Sequence, residues 1–330
     1  MLTACRLAAC VLLPACGPPR AAVIAAEGGP PQIDWQDATL LSNEPVGRGT
    51  YQMRVQASED SPPLGYAAGH ILGFEMAHPE KGEALKGPYT VTRAPDERQF
   101  DVIYRVIPDG RKTPFMEKLT PGAAVRFGGK FGTPIADGIK DDVDRVVGIA
   151  TGAGLGPLVG YAEATLAGNA PPKVELYGGF RDLADVCCKA ECDELAARHP
   201  DAFTFTPVIS RPMACSAVNL ASASAVPSSG LADSLGEGLA APPSPSFAQG
   251  RVSRVVPGMH GEISRSTHFH LVGNGGFVNE MRDGLLAGGI DETRVTTEIY
   301  FNKKVEADED VVAFIAEAIK AGVAQTPQTA

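Results

Sequence analysis

Residues 148–163 read GIATGAGLGPLVGYAE, a glycine-rich segment between an apolar run and an amphipathic run. The segment contains three glycines at alternate positions, Gly152, Gly154 and Gly156. Residues 145–150 before them have the pattern of a buried strand. Pro157 suits the first turn of a following helix, because the amide that proline lacks would be unpaired there. A strand, a glycine turn and a helix in this order aim free amides and the positive end of a helix dipole at an anion.

The glycine spacing excludes two common phosphate-binding motifs. No Lys-Ser or Lys-Thr follows the turn, as a Walker loop requires, and the glycines do not follow the pattern G-x-G-x-x-G. From the turn alone, anion binding and a plain tight turn both remain open.

Strands and helices alternate through the rest of the second half of the chain. The pattern predicts strands at 173–179, 203–211 and 268–274, and helices from about 157, at 183–199 and at 277–286. This alternation predicts a doubly wound parallel sheet, in which ligands bind beyond the carboxyl ends of the strands. Four segments lie at such ends: 151–156, 178–181, 210–211 and 273–276. Their convergence favours a phosphate-binding turn.

The first half of the chain has a different period. Six short alternating runs separated by turns lie at 38–43, 50–57, 70–76, 88–94, 100–107 and 123–129. Regular short strands of this kind predict a small antiparallel barrel. A brief helix is expected at 113–119, before the last strand.

Composition excludes some function classes. The 330 residues carry a net charge of −10 with no basic run, which argues against a nucleic-acid partner. Residues 1–30 contain an apolar stretch far too short to span a bilayer and predict a targeting leader, with a disordered tail as the alternative. No transmembrane segment is expected. Cys188 and Cys192 are interpreted as small apolar helix residues rather than as metal ligands or a redox pair, and no metal site is expected.

A low-complexity segment interrupts the second half. Residues 213–250 are rich in Ala, Ser, Pro and Gly, which predicts a disordered insertion. The expected organisation is a leader (1–30), a barrel domain (31–140), an α/β domain (141–302) and a C-terminal tail (303–330).

With these strand-end motifs in this order, the chain resembles the ferredoxin–NADP reductase family of flavoproteins over about residues 34–302. The resemblance implies an N-terminal antiparallel Greek-key barrel that binds FAD, followed by a doubly wound parallel α/β domain that binds NADP. In GPYTVTR, Tyr89 and Thr90 match the aromatic-x-Ser/Thr strand against the flavin. The family's arginine two residues earlier is Gly87 here, and Arg93 or Arg105 is expected to substitute for it at the flavin pyrophosphate.

The remaining motifs extend the resemblance to both cofactors. For the flavin pyrophosphate, it implies contacts from Lys112, Thr113 and Pro114. For NADP, it implies contacts from Thr151, Gly152, Gly154, Gly156, Pro157, Gly179, Arg181, Ser210 and Arg211. Gly273, Asn274 and Gly275 correspond to the family's Cys-Gly-x turn beside the nicotinamide, without its thiol. In TTEIYFN, Glu298 and Tyr300 match the carboxyl-terminal Glu-x-Tyr, whose aromatic ring covers the flavin.

The resemblance also implies a function. Thr90, Glu298 and Tyr300 are the expected catalytic residues of an oxidoreductase that passes hydride between NADP(H) and flavin N5, and single electrons to or from ferredoxin or flavodoxin. A related reductase with a haem or quinone acceptor is one alternative, and a non-catalytic nucleotide-binding regulator is another. The leader then predicts an organelle, a plastid in preference to a mitochondrion.

Overall fold

The computed structural model of the protein describes residues 33–78, 81–211, 247–258, 263–301 and 303–322. The predicted leader, most of the predicted insertion and Cys215 lie outside these residues. No helix in the described part of the chain is long and apolar enough to cross a membrane.

The first half folds into a closed six-stranded antiparallel barrel, as predicted. Its strands are β1 (Trp35–Gly47), β2 (Thr50–Ala57), β3 (Ile71–Ala77), β4 (Ala84–Arg93), β5 (Gln99–Arg105) and β6 (Ala124–Phe131), and their order around the barrel is β1-β2-β5-β4-β3-β6. Alternate side chains point inward and fill the barrel with large apolar groups, among them Leu40, Met53, Phe74, Phe100 and Phe127. The apolar residues that recur at every second position of the sequence are therefore the ones that form the barrel core.

Helix α1 (Thr113–Met116) is shorter than the helix predicted at 113–119. The side-chain amide of Asn43 donates hydrogen bonds to the carbonyl oxygens of Met116 (2.9 Å) and Leu119 (3.1 Å). These bonds satisfy carbonyls that a longer helix would have used, so the chain leaves the helix after one turn.

The second half forms a parallel six-stranded sheet with helices on both faces, as predicted. Its strands are β7 (Arg145–Thr151), β8 (Lys173–Phe180), β9 (Phe203–Ile209), β10 (Ala248–Gln249), β11 (Thr267–Asn274) and β12 (Val295–Phe301), in the order β10-β9-β8-β7-β11-β12. Its helices are α2 (Leu155–Leu166), α3 (Lys189–Arg198), α4 (Val252–Val255), α5 (Gly275–Ala287) and α6 (Glu309–Gly322). Two apolar clusters, one on each face, bury the sheet.

The single helix predicted at 183–199 is wrong. A 3₁₀ turn (Leu183–Asp185) comes first, and α3 begins only after Cys188, whose φ of 55° lies in the left-handed region. The hairpin between β1 and β2 interrupts the helix, because Arg48 binds both Asp182 and Asp185. Cys188 therefore precedes α3 instead of sharing a helix face with Cys192, although both thiols are free and buried.

One further segment departs from its predicted character, and the tail forms a helix, in agreement with its sequence. Residues 248–249, assigned to the disordered insertion, form strand β10 and pair in parallel with the end of β9. In the tail, α6 packs against α5 at two close approaches: a Cβ at Gly284 would lie 2.5 Å from the Ile315 side chain, and one at Gly288 would lie 2.7 Å from Ile319.

Candidate functional site

A cleft of about 790 Å³ lies between the barrel and the carboxyl edge of the parallel sheet. It brings together most of the residues predicted from the sequence. From the barrel come Tyr89, Thr90, Arg105, Lys112 and Thr113; from the sheet come Thr151, Gly152, Gly154, Gly179, Arg181, Ser210, Gly273 and Asn274; and from β12 come Glu298 and Tyr300.

The expected role of Arg93 at the pyrophosphate is not supported. Its guanidinium lies 3.2 Å from Glu163 on α2 and 3.7 Å from Asp101 on β5, and it does not line the cleft. The two carboxylates hold the Arg93 guanidinium away from the cleft. The sequence alone could not show that α2 packs against β4, the strand that carries Arg93. Arg105 does line the cleft, 3.8 Å from Asp185.

Five other predicted residues also lie outside the lining, the first of which is Pro114 in α1. Gly156 and Pro157 are buried where α2 meets the barrel, and a Cβ at Gly156 would lie 2.9 Å from Ile103. Gly275 is buried in the first turn of α5, and Arg211 is exposed beyond the end of β9. Gly156 thus permits close packing of α2 against the barrel, and a sequence pattern does not distinguish a glycine in this role from one that contacts a ligand.

Tyr89 forms the aromatic floor of the barrel end of the cleft. Its hydroxyl donates to Met116 Sδ at 2.9 Å, and its ring makes edge contacts with Phe74 and Tyr104, at 5.9 and 6.5 Å between centroids. Burial raises the pKa of this phenol, so it stays neutral. These contacts fix the orientation of the Tyr89 ring in the cleft.

Lys112 places an ammonium beside this ring, 4.4 Å from its centroid. The side chain occupies the space that Gly87 leaves open, since a Cβ at Gly87 would lie 1.9 Å from Lys112 Nζ. Burial lowers the pKa of Lys112 to about 8, and no carboxylate of the described residues forms an ion pair with it. A cation in a cleft without a carboxylate partner is suited to a bound anion.

Thr90, Glu298 and Tyr300 meet in the middle of the cleft. The Thr90 hydroxyl donates a hydrogen bond to Glu298 Oε1 and also hydrogen-bonds Tyr300. Burial raises the pKa of Glu298 to about 7, while the Thr90 hydrogen bond and the charge of Lys303 lower it. Burial and the Glu298 charge raise the pKa of Tyr300. The group therefore combines a neutral aromatic with a carboxyl that exchanges its proton near neutral pH.

The glycine turn forms the centre of the sheet side. Gly152 has a φ of +56° and opens a 3₁₀ turn that leads directly into α2. A Cβ at Gly273 would lie 2.3 Å from Thr151 Oγ1, so the two strand ends approach closely only because residue 273 is a glycine. Gly152, Ala153 and Gly154, which lead into α2, line the cleft, and neither this turn nor α2 has a side-chain cap, as is typical of anion-binding helix starts.

The structure adds lining residues that the motifs did not indicate. Arg251, Val252 and Ser253 at α4, Glu280 on α5 and Lys303 after β12 all line the cleft. The return of patterned sequence at Arg251 was a weak signal for the first three, but nothing local pointed to Glu280. No group of three or more His, Cys, Asp or Glu side chains among the described residues is placed to hold a metal ion.

Two protein-family models match the chain on either side of the cleft. An oxidoreductase FAD-binding domain matches residues 37–134, and an oxidoreductase NAD-binding domain matches residues 149–219. The chain belongs to the ferredoxin–NADP reductase family. It contains an FAD-binding and an NAD(P)-binding domain of the oxidoreductase type, as the motifs predicted.

Three curated relatives have names that indicate different roles. The reductase subunit of an aromatic O-demethylase from Amycolatopsis sp. is 32% identical over 179 residues, 52% of this chain and 51% of that protein. NADH-cytochrome b5 reductase 2-A from Vanderwaltozyma polyspora is 25% identical over 54% of this chain and 60% of its own. Ferredoxin–NADP reductase B from Sorangium cellulosum is 28% identical over 53% and 70%. The chain thus spans little more than half the length of the first two.

Among solved structures, a ferredoxin–NADP⁺ reductase from Neisseria gonorrhoeae with bound FAD and NADP has the same fold. The TM-score is 0.61 at 17% identity, over 81% of this chain and 99% of that one. At this identity the likeness concerns the fold alone.

The residues of the cleft fit the two cofactors of the ferredoxin–NADP reductase family. A flavin needs aromatic surface and a cation for its pyrophosphate, and Tyr89 and the unpaired Lys112 provide both. A nicotinamide dinucleotide needs a close backbone approach and free amides, which the turn at Gly152–Gly154 and the bare Gly273 provide. The volume also lies within the range of small-molecule sites.

Proposed function

We propose that the protein is an FAD-dependent ferredoxin(flavodoxin)–NADP oxidoreductase. The observation that carries the proposal is the convergence of three groups in one cleft. An unpaired ammonium and an aromatic ring lie at the barrel end, the Thr90–Glu298–Tyr300 group lies in the middle, and a glycine turn flanked by arginines lies at the sheet end.

Bound FAD would supply the redox chemistry, exchanging hydride with the coenzyme and single electrons with the acceptor. The protein's residues bind and orient. Lys112 would hold the flavin pyrophosphate, and the rings of Tyr89 and Tyr300 would contact the flavin. Glu298, with a pKa of about 7, is suited to hold or release a proton at its carboxyl, and Thr90 fixes the orientation of that carboxyl.

NADP rather than NAD is proposed because of the charges at the sheet end. Arg181 and Arg251 line the cleft beside Ser210, and neither arginine forms a carboxylate ion pair among the described residues. A 2′-phosphate brings nearly two negative charges, which such cations and a hydroxyl satisfy. Arg211, expected from the sequence to be the main cation, lies outside the lining.

The proposed acceptor is a ferredoxin or flavodoxin. One relative is named as a ferredoxin–NADP reductase, which supports this choice. Another relative is named as a cytochrome b5 reductase, which keeps a haem-protein acceptor as the second candidate.

Anaerobic spectrophotometry of the purified protein tests the proposal. The protein should be yellow, NADPH should bleach the flavin bands, and a ferredoxin should restore them. Coenzyme binding without bleaching would favour a non-catalytic regulator, and recovery of colour with cytochrome b5 but not with ferredoxin would favour the second candidate.

Arg251→Ala tests the coenzyme choice, with Arg211→Ala as a matched control outside the cleft. Because charged hydrogen bonds contribute about 1.5–3 kcal/mol, Arg251→Ala should weaken NADPH binding about tenfold to a hundredfold and NADH binding little. Arg211→Ala should change neither. Equal losses for both coenzymes in Arg251→Ala would remove the support for NADP.

A further inference from the structure

Glu280 is a buried carboxyl group that faces the cleft and that the mechanism above does not use. It lies on the second turn of α5, is 8% exposed and lines the cleft with Arg251 and Ser253. The Ser253 hydroxyl hydrogen-bonds its carboxyl group, yet its Oε2 atom has no partner among the described residues. A buried carboxylate oxygen without a donor is costly in a site that only stabilises the fold.

The charged and polar groups around Glu280 come from α4 and from the segment before α6. Arg251 and Arg254 at α4 favour the ionised carboxylate, as does Ser253, while Asp308 before α6 disfavours it. Burial is the largest influence and raises the pKa of Glu280. Arg251, the cation that we assign to the 2′-phosphate, thus shares its part of the cleft with an acidic group.

We propose that Glu280 is a specificity-determining residue that weakens binding of the 2′-phosphate and so narrows the preference of the site for NADP(H) over NAD(H). This inference rests on the proposed function, because it assumes that the coenzyme binds in this cleft. A carboxylate beside Arg251 repels the phosphate and offsets part of the arginine's attraction. The hydroxyl of NAD carries no charge and can donate to Oε2.

Calorimetric titration of the FAD-loaded protein with NADP⁺ and NAD⁺ tests this proposal without turnover. Glu280→Gln keeps the size of the side chain and removes the charge. It should tighten NADP⁺ binding about fivefold or more and change NAD⁺ binding less than about twofold. The fragments 2′,5′-ADP and AMP, which lack the nicotinamide half, should show the same difference. Glu280→Asp, which keeps a carboxylate but shortens its reach, should lie between the wild type and Glu280→Gln.

Glu317→Gln is the matched control, because Glu317 lies on the exposed side of α6 with its side chain 77% exposed and paired with Lys320. It changes the net charge equally and should leave both affinities unchanged. Equal changes for NADP⁺ and NAD⁺ in both Glu280 variants would overturn the inference and make Glu280 a structural residue. A wild-type protein that binds FAD but neither coenzyme would overturn the proposed function instead.

Discussion

Burial in the cleft disfavours the charged form of Lys112 and lowers the pKa of its ammonium group to about 8. A bound pyrophosphate would supply the opposite charge and raise that pKa, so FAD binding above pH 8 requires uptake of a proton. FAD affinity should therefore be highest below pH 8 and fall by up to about tenfold per pH unit above it. Fluorescence titration of the flavin-free protein from about pH 6.5 to about pH 9.5 measures this.

Two variants distinguish the effect of the Lys112 charge on FAD affinity from the effect of its titration. Lys112→Arg carries a charge that does not titrate in this interval, so its affinity should stay nearly constant. Lys112→Met should bind FAD weakly at every pH. A wild-type affinity as flat as that of Lys112→Arg would contradict the assignment of Lys112 to the pyrophosphate.

Glu298 links the stability of the flavin-free protein to pH. Its pKa is about 7 in the folded protein and 4.5 in the unfolded reference, so the folded state retains a proton that the unfolded state loses. Relative to Glu298→Gln, the wild type should be most stable below pH 4.5 and should lose about 1–3 kcal/mol as the pH rises through 7. Chemical denaturation of the flavin-free proteins at several pH values measures the difference. A constant difference would mean that Glu298 titrates normally.

At the scale of elements, the contact between α5 and α6 depends on two glycines. Because a Cβ at Gly284 would lie 2.5 Å from Ile315, Gly284→Val should overpack the contact and lower the free energy of unfolding by about 1–3 kcal/mol. Gly258→Val is the control, because no atom of the residues that the structure describes lies within 4 Å of a Cβ there. Adding Ile315→Ala should recover part of the loss, and a full loss in the double variant would place the strain elsewhere.

Elements were predictable where their signal is local. The two-residue period of the barrel strands and the strand–glycine–helix pattern around Gly152 follow from side-chain direction alone, and both were confirmed. The break before α3 was not predictable, because it depends on Arg48 of a distant hairpin reaching Asp182 and Asp185. Local pattern carries no information about such a partner.

At the scale of the whole molecule, the strand-end rule located the cleft but not its complete lining. Segments at the ends of β7, β8, β9 and β11 do meet, because parallel strands share a carboxyl edge. Arg251 and Glu280 were missed because helix packing after a long insertion brings them to that edge. Arg93 was misplaced because α2 supplies its carboxylate partner. The assigned roles in cofactor binding stay predictions.

The insertion can be tested against the corrected boundary at β10. Composition predicts that residues 214–246 cannot bury enough apolar surface to order themselves, so deleting them should leave FAD retention and coenzyme binding nearly unchanged. Extending the deletion to 249 also removes β10 and should lower the melting temperature. Flavin content and thermal unfolding of the two deletions measure the effect. Loss of FAD in the shorter deletion would show that the segment contributes to the fold.

The pairing of β10 with β9 also bears on how the protein behaves at high concentration. A closed barrel has no free strand edge, whereas one side of the parallel sheet ends at β9 and β10, and among the described residues β10 covers only Val208 and Ile209 of β9. The rest of β9 contains Pro207, which cannot donate a hydrogen bond to an added strand. Together, the two-residue cover and the proline make this edge, although not the opposite edge at β12, a poor template for another chain, which limits edge-to-edge aggregation there.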